Sequence, residues 1–474
     1  MVTAARFLLI RARERATSSS TCRRTRERGT CCISQRWITY TDGEHLVGGA
    51  ARSSMHGGVR RVTKTRLIDH DGAVQHGDFL LHPDGSYSAS NGDEDVAETI
   101  DGSMRLVTRS LQNWHTHLAM ILNRSMGEGL PLMEWLETSV FPVEKGLTAG
   151  FVEAGTRAAV AEMIATGTTF ACDMYYHPDV VAGVLVESGV RGVACGPITD
   201  FPTPSYPSGG AEALQNMDEL LRGSAPSERV EYGIGTHSVY TCSEETLLKA
   251  SEMAAEHSCI LHIHTSETRK EVADCHADHG MYPVEYLDSL DYFQSADDGG
   301  TVCAHCGWVT KREMRILAGH EAHAVHCPTS NQKLACGGTM SYPAMREAGV
   351  DVRLGTDGAA SNNSLNMRAE AKAASVVQRH DHWDARILNP VETWQLATKD
   401  SFDWVTWDLD DVRMRPWGRD GRRLLANLIY SGARCLDVVV GGQALRRDGV
   451  TLSVDETAAG SGLEDAVSDY YSEI

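Results

Sequence analysis

Two hydrophobic periods alternate along the middle of the chain, between residues 111 and 407. Segments with helical spacing, such as EETLLKASEMAAEH, are followed by short apolar runs, such as CILHIH, and the order recurs in FVEAGTRAAVAEMIATGTTFACDM and YPAMREAGVDVRLGTDG. Ser243 is a candidate N-cap in front of Glu244, and the strand after that helix is expected over residues 260–263. Repeated helix-then-strand units predict parallel strands with helices outside them.

A doubly wound sheet and a (β/α)8 barrel of the TIM type both satisfy this order. The glycine-rich fingerprint of dinucleotide-binding sheets is missing after the first strands, so the barrel is the favoured α/β fold. Towards both chain ends, short alternating runs are separated by Asp-Gly and Gly-Gly turns, in RLIDHDGAVQHGDFLLHPDGSYSA and ARCLDVVVGGQALRRDGVTLSV. We therefore expect residues 62–110 and 408–474 to form one small β domain, and residues 111–407 to form the barrel.

Residues 1–61 have a different character. The stretch RARERATSSSTCRRTRERGTCC is rich in Arg, Ser and Thr and poor in acids. A transit peptide has such a composition. A disordered tail, or a start codon assigned too far upstream, is the favoured interpretation, so we leave this segment out of the predicted fold.

Composition narrows the class of protein. The formal net charge of −20 argues against a nucleic-acid partner, because phosphate binding needs a concentrated basic patch. No apolar run approaches the roughly 18 to 20 residues of a membrane helix, and no signal-peptide pattern follows the start. The 13 cysteines lack the dense spacing of a disulfide-stapled secreted domain. We therefore expect a cytoplasmic protein with reduced thiols and no membrane contact.

Polar side chains follow four of the predicted barrel strands. They are His115 and His117 in NWHTH, His264 and Glu267 in HIHTSE, His305 in VCAHC, and Asp357 in LGTDG. The carboxyl ends of barrel strands meet on one face and commonly carry catalytic groups. We therefore expect these six residues to form one site.

Side-chain parity bears on which histidines could bind a metal ion. His115 and His117 point to the same side of a strand, and imidazole suits zinc or iron. Such a pair alone is weak evidence, because histidines often simply hydrogen-bond. His262 and His264 also share one parity, and His264 is the favoured ligand because it lies nearer the strand end.

The two carboxylates each have two interpretations. Glu267 is either a partner of a helix N-terminus or a carboxylate that moves a proton beside an activated water. Asp357 is either part of an Asx turn before glycine or a ligand or base at a metal ion.

Eight motifs in order carry a resemblance to a known family: NWHTHLAM, LPLMEWLETSVFPVE, GTTFACDMYYH, GTHSVYTCSEETL, HIHTSET, AHC, HCPTSNQKLACGG and LGTDGAASNNSLNM. Together they resemble the amidohydrolase superfamily. Within it they are similar to the 5'-methylthioadenosine/S-adenosylhomocysteine deaminases, whose relatives include triazine chlorohydrolases. The resemblance runs from Leu67 to Val454 and implies a (β/α)8 barrel with a small β-sandwich formed by both chain ends.

The resemblance also implies a set of roles. Four residues would hold one divalent ion, with zinc favoured and iron as the alternative: His115, His117, His264 and Asp357. Asp357 would also take a proton from water, Glu267 would protonate the substrate ring nitrogen, and His305 would orient the attacking water. Glu134 in LMEWLE and His237 in GTHS would contact the nucleoside. The expected partner is a small-molecule substrate, and a homo-oligomer is expected.

The sequence departs from the family pattern in three places. Members that bind the amino-acid tail of S-adenosylhomocysteine carry arginines in the region of VACGPITDFPTPSYPSGGAEAL, which here has none. A carboxylate tail would then lack a bidentate partner, which favours 5'-methylthioadenosine, adenosine or 5'-deoxyadenosine as substrate. The usual Pro-Gly is absent from RSLQNWHTH, and SFDWVTWDLDD follows WQLATKD without the usual glycine-rich segment. We therefore expect an altered junction between the small domain and the barrel.

Two other enzymatic activities and one non-catalytic role are the alternatives to a nucleoside deaminase. A binuclear ring amidase would need a bridging lysine on the fourth strand, and RGVACGPITD has none. A chlorohydrolase or aminohydrolase of triazines or other aromatic heterocycles is the alternative to a nucleoside deaminase. A non-catalytic pseudoenzyme is disfavoured because the full set of ligand-type residues is present.

Overall fold

The computed structural model describes residues 57–295, 299–418 and 420–473. Residues 1–56, most of the segment predicted to lie outside the fold, are outside the described residues. Residues 57–61 are described, and the first strand begins at Arg60, just before the predicted start of the small domain at residue 62.

The strands of the described residues form two sheets. In chain order they are β1 (Arg60–Ile68), β2 (Val74–Leu81), β3 (Tyr87–Ala89), β4 (Glu98–Asp101), β5 (Arg105–Arg109), β6 (Leu111–Thr116), β7 (Thr168–Met174), β8 (Arg191–Ile198), β9 (Val230–Thr236), β10 (Leu261–Thr265), β11 (Thr301–His305), β12 (His323–His326), β13 (Asp351–Leu354), β14 (Trp404–Asp408), β15 (Cys435–Val440), β16 (Gln443–Arg447) and β17 (Val450–Thr451).

The helices connect and surround the strands. In chain order they are α1 (Leu132–Trp135), α2 (Phe141–Glu144), α3 (Ala149–Ala165), α4 (Pro178–Ser188), α5 (Gly210–Arg222), α6 (Glu244–His257), α7 (Arg269–His279), α8 (Pro283–Ser289), α9 (Lys311–Gly319), α10 (Pro328–Lys333), α11 (Tyr342–Ala348), α12 (Ala359–Asn362), α13 (Met367–His382), α14 (Pro390–Ala397), α15 (Gly421–Tyr430) and α16 (Glu456–Glu473). A π-helical turn (Leu136–Val140) joins α1 to α2, and 3-10 turns cover Leu118–Asn123 and Val412–Met414. Within the described part of the chain, no helix combines the length and apolarity needed to cross a membrane.

Strands β6 to β13 form the predicted parallel barrel, each beside its predecessor in the chain. The barrel closes at the ends of β13 and β6, where Asp357 N donates to His115 O at 3.0 Å. Next to this bond, the Asn113 side chain accepts from Thr356 N at 3.0 Å and donates to Thr356 Oγ1 at 2.8 Å. A Cβ on Gly355 would lie 2.8 Å from His115 N, so this close approach of the first and last strands depends on glycine. The predicted (β/α)8 fold is confirmed.

Local sequence explains how α6 and β10 are placed. Ser243 caps α6, as predicted, by accepting from Thr246 N at 3.3 Å. The following strand covers Leu261–Thr265, slightly later in the chain than the predicted residues 260–263. This shift brings His264 into the strand, near its carboxyl end.

The two chain ends form one sheet, in the order β17-β16-β15-β14-β5-β1-β2-β3, with β4 also paired to β1. This confirms a separate small sheet built from both ends. The returning strand β14 begins at Trp404, before the predicted limit of 408, and pairs antiparallel with β5. The second segment also contains α15 and α16, and Tyr470 of α16 packs against Phe151 of α3 with ring centroids 5.6 Å apart.

The expected altered junction between the two sheets is held by buried polar contacts. Ser110, between β5 and β6, lies with its Oγ 2.6 Å from Ser401 Oγ. Asp403 is buried and accepts from Arg191 Nε at 2.8 Å and from Gly441 N at 3.0 Å. Charge-assisted hydrogen bonds are strong and directional. Those of Asp403 hold the short segment between α14 and β14 in place.

Candidate active site

His117 and His264 present the same ring nitrogen to one point at the carboxyl end of the barrel. Nδ1 of His117 lies 2.5 Å from Met174 O, and Nδ1 of His264 lies 2.7 Å from His237 O. Because a carbonyl oxygen only accepts hydrogen bonds, each Nδ1 carries the proton and each Nε2 keeps a lone pair. The two Nε2 atoms are 3.3 Å apart. Lone pairs at this distance call for a proton or a cation between them.

His115 and Asp357 complete this group of donor atoms. Asp357 Oδ1 lies 3.2 Å from His117 Nε2 and 3.5 Å from His115 Nε2. His115 Nε2 is buried and has no hydrogen-bond partner among the described residues. Ligand atoms of His115, His264 and His305 also lie within 4.8 Å of one another. Three imidazoles and a carboxylate are the donor set of many catalytic zinc and iron sites, so these residues fit a divalent transition-metal ion.

Burial and the Asp357 carboxylate shift the pKa values of these histidines in opposite directions. Burial disfavours the charged ring and lowers the pKa of His115 to about 3 and that of His305 to about 4. Burial acts in the same direction on His117, but the Asp357 carboxylate outweighs it and raises the pKa of His117 to about 9. A proton on His117 and a metal ion would therefore compete for the same Nε2 lone pair.

Asp357 is held by three neighbours after the end of β13. Its Oδ2 accepts from Ser330 Oγ at 2.5 Å and from Ser361 Oγ at 2.9 Å, and its Oδ1 accepts from Gly358 N at 2.8 Å. The backbone of Asp357 has φ 62°, a left-handed conformation that costs energy for a residue other than glycine. These contacts fix the carboxylate in the orientation that faces the histidines.

Glu267 and His305 lie beside the histidine group. His305 Nε2 is 3.8 Å from Glu267 Oε2, and His305 Nδ1 is 3.1 Å from the side-chain amide of Asn331. Burial, together with the negative charge of Asp357, raises the pKa of Glu267 to about 8. Burial therefore favours the protonated form of Glu267, which can act as a proton donor.

Glu271 fixes the turn that carries Glu267. Its two carboxylate oxygens accept from Ser266 N at 2.7 Å and from Glu267 N at 2.8 Å. Glu271 is buried and belongs to the first turn of α7. The proton-donor position is thus supported from the helix that follows it.

A cavity of about 530 Å³ opens onto this group. Its wall includes six of the residues singled out from the sequence: His117, His237, His264, Glu267, His305 and Asp357. His115 lies below them, fully buried in the barrel. The rest of the wall is mostly apolar, with Leu132, Trp135, Phe141 and Phe201 among its residues. An apolar cavity with polar groups gathered at one end is typical of a site that orients a small organic ligand.

Glu134, a predicted substrate contact, is not among the residues that line this cavity. Glu134 is exposed on α1, and Glu144 of α2 lines the cavity instead. Glu144 is only 8% exposed and accepts from Tyr175 Oη at 3.0 Å. Burial raises the pKa of Glu144 to about 7. Helical spacing alone could not have identified Glu144, because a π-helical turn (Leu136–Val140) interrupts the α-helical period between Glu134 and Glu144.

The fold and the cluster of histidines and carboxylates at the strand ends define a barrel hydrolase. The family model described as Amidohydrolase family matches residues 106–407, more than half of the chain. The chain belongs to the amidohydrolase family, which confirms the predicted superfamily and the predicted hydrolase class.

Two curated relatives share about a third of their residues with this chain. The 5'-deoxyadenosine deaminase of Methanothrix thermoacetophila is 36% identical over 365 residues, which cover 74% of this chain and 85% of that protein. The 5-methylthioadenosine/S-adenosylhomocysteine deaminase 1 of Archaeoglobus fulgidus is 34% identical over 374 residues, covering 75% and 86%.

Two solved structures extend the comparison to the fold. An adenosine deaminase from Xanthomonas campestris with bound zinc superimposes with a TM-score of 0.80 at 26% identity, covering 87% of this chain and 98% of that one. The atrazine chlorohydrolase of Arthrobacter aurescens, complexed with zinc, gives a TM-score of 0.76 at 19% identity, covering 86% and 100%. The second likeness concerns the fold alone.

Proposed function

We propose that this protein is a metal-dependent hydrolytic deaminase of adenosine-type nucleosides with an uncharged 5' end. The favoured substrates are 5'-deoxyadenosine, 5'-methylthioadenosine and adenosine, ahead of S-adenosylhomocysteine. The convergence of the His117 and His264 lone pairs with Asp357 beside a protonated Glu267 is the observation that carries the proposal. The two deaminase relatives support the reaction type.

One divalent ion would be held by His115, His117, His264 and Asp357. Zinc is favoured and iron is the alternative, because imidazole and carboxylate ligands suit both. When bound, such an ion lowers the pKa of a coordinated water far below that of bulk water, to about 7, and so supplies a nucleophile at neutral pH.

The surrounding side chains handle the protons of the reaction. Asp357 accepts a proton from the attacking water. His305, whose Nε2 faces Glu267, orients that water. Glu267 donates its proton to the purine ring nitrogen next to the amino-bearing carbon, which makes that carbon more electrophilic. The carbon–oxygen bond forms and the carbon–nitrogen bond then breaks. The proton on Asp357 passes to the departing amine. The hydroxyl proton of the adduct returns to Glu267 as the carbon–oxygen double bond forms, so water and the aminopurine yield ammonia and the oxopurine.

Polar groups away from the reaction centre would orient the nucleoside. The Glu144 carboxylate lies in a largely apolar wall, and its second oxygen can accept hydrogen bonds from ribose hydroxyls. His237 lines the same cavity, and its Nδ1 is 3.0 Å from Thr241 Oγ1. We assign both residues to ribose binding.

The outer part of the cavity favours a short apolar 5' group. Met133, Phe201 and Tyr240 line the cavity and are among the most exposed large hydrophobic side chains of the described residues. The cavity wall contains no arginine among the described residues, and Lys145 is its one Lys or Arg. An amino-acid tail would therefore place a carboxylate and an ammonium group against an apolar rim without a bidentate partner.

A substrate panel tests this proposal. Purified protein with measured metal content is incubated with 5'-deoxyadenosine, 5'-methylthioadenosine, adenosine, S-adenosylhomocysteine, guanine and a chlorotriazine, and ammonia and chloride are both quantified. Ammonia release with the highest kcat/KM on the first three substrates is expected. Chloride release without ammonia would favour the chlorohydrolase alternative, and metal-replete protein with no turnover would favour a binding protein.

A further inference from the structure

His262 lies on β10, two residues before His264, and the proposed metal centre does not use it as a ligand. Its ring is fully buried inside the barrel. Its Nε2 lies 2.9 Å from His115 Nδ1, and its Nδ1 lies 3.5 Å from Sγ of Cys172 on β7. A continuous row of three side chains therefore runs from the metal centre into the barrel interior.

Proton positions along this row follow once His115 presents Nε2 to the metal ion. His115 Nδ1 must then carry the ring proton, and His262 Nε2 must accept a hydrogen bond from it. A neutral imidazole has one N–H, so His262 carries its proton on Nδ1 and donates it to the Cys172 sulfur. Every ring nitrogen then has a partner, and no charge is placed in the interior.

We propose that His262 is a positioning residue for the metal ligand His115, with the Cys172 sulfur accepting the hydrogen bond from His262 Nδ1. The inference rests on the proposed function, because it presupposes a metal ion at His115. The proposed ligands His117 and His264 donate to backbone carbonyls, which no side-chain substitution removes. Among the three proposed histidine ligands, His115 is the one whose Nδ1 faces a side chain, so its geometry is open to a direct test.

A rival arrangement uses the same atoms. Donor atoms of Cys172, Cys195 and His262 lie within 4.8 Å of one another and could hold a second ion. His262 would then ligate through Nδ1 and carry its proton on Nε2. Two N–H donors, His262 Nε2 and His115 Nδ1, would then face each other at 2.9 Å, which is an unfavourable contact. The two arrangements thus require opposite tautomers of His262.

Substitutions at His262 and Cys172 separate a positioning role from a packing role. His262→Leu removes the acceptor, and His262→Gln keeps a polar end group near the Nε2 position. The zinc affinity of the loaded protein, measured by competition with a chelator, should fall about 10–100-fold in His262→Leu, as for other groups that orient metal ligands. His262→Gln should recover most of this loss. Cys172→Val should weaken zinc binding, whereas Cys195→Val is the matched control from the same apolar cluster and should not.

Nitrogen NMR of the imidazoles in the zinc-loaded wild-type protein needs no variant to fold. A proton on Nδ1 of His262 is expected, and a proton on Nε2 would overturn the inference. Zinc affinity of His262→Leu equal to that of the wild type would also overturn it, as would a second zinc ion lost in both Cys172→Val and Cys195→Val. Wild-type protein that binds no zinc would instead refute the proposed function itself.

Discussion

Replacing Glu144 by Gln tests the proposed role of this residue in ribose binding. The change removes the negative charge but keeps the size of a side chain that is only 8% exposed. A hydrogen bond to a charged group contributes about 1.5–3 kcal/mol, and each 1.4 kcal/mol corresponds to about a tenfold change in rate or affinity. We therefore expect kcat/KM on 5'-deoxyadenosine to fall about 10–100-fold.

The pH dependence of this loss follows from the pKa of Glu144. Burial raises that pKa to about 7, so part of the wild-type population is already neutral at pH 7. The difference between wild type and Glu144→Gln should then grow as the pH rises from 6 to 8, because more of the wild type becomes charged. The assay follows ammonia release or the ultraviolet change of the purine under steady-state conditions.

Two controls isolate the ribose contact. Glu134→Gln changes an exposed glutamate in the same sequence motif and should leave kcat/KM unaltered. Free adenine lacks the ribose, so any turnover of adenine should respond little to Glu144→Gln. Equal losses in both variants, or a Glu144→Gln enzyme that matches the wild type on the nucleoside, would refute the assignment.

Four further predictions concern the reaction centre, the rim and the barrel seam. His264→Ala should abolish both metal retention, measured by elemental analysis, and turnover; full activity would contradict the ligand assignment. The acid form of Glu267 is the active one, so kcat/KM should fall as the pH rises through about 8, or lower once a cation is bound, and Glu267→Gln should lose about 10²–10⁴-fold in kcat. Phe201→Arg should raise kcat/KM for S-adenosylhomocysteine relative to 5'-methylthioadenosine, and Phe201→Leu should not. Gly355→Ala should lower the Tm, because its Cβ would lie 2.8 Å from His115 N, and an unchanged Tm in calorimetry would contradict this packing.

The fold was predictable because its signals are local and repeated. Each helix-then-strand unit carries its own period and caps, as Ser243 does for α6, and a series of such units leaves few architectures. Strand-end polar groups such as His264 and Asp357 could be assigned to one site because barrel topology brings strand ends together. The seam between β13 and β6 was not predictable, since it depends on Asn113 and Gly355, whose contacts are more than 200 residues away in the chain.

The substrate contact illustrates a different limit. Glu134 and Glu144 lie in one motif, and matching the motif by its letters selected Glu134. The choice between them depends on helical phase, and here a π-helical turn (Leu136–Val140) interrupts the α-helical geometry between them. Only the folded segment shows which carboxylate reaches the cavity.

His262 and His264 show why parity cannot assign a role within a strand. Both side chains point into the barrel, so alternation treats them as equivalent. Their depth separates them, because two residues along a strand amount to about 6.6 Å. At the outer level, Nε2 of His264 meets His117, whereas one step deeper His262 meets the Nδ1 side of His115. In the proposed site, the histidine at the outer level thus offers a lone pair to the centre, and the histidine one step deeper accepts a hydrogen bond from His115.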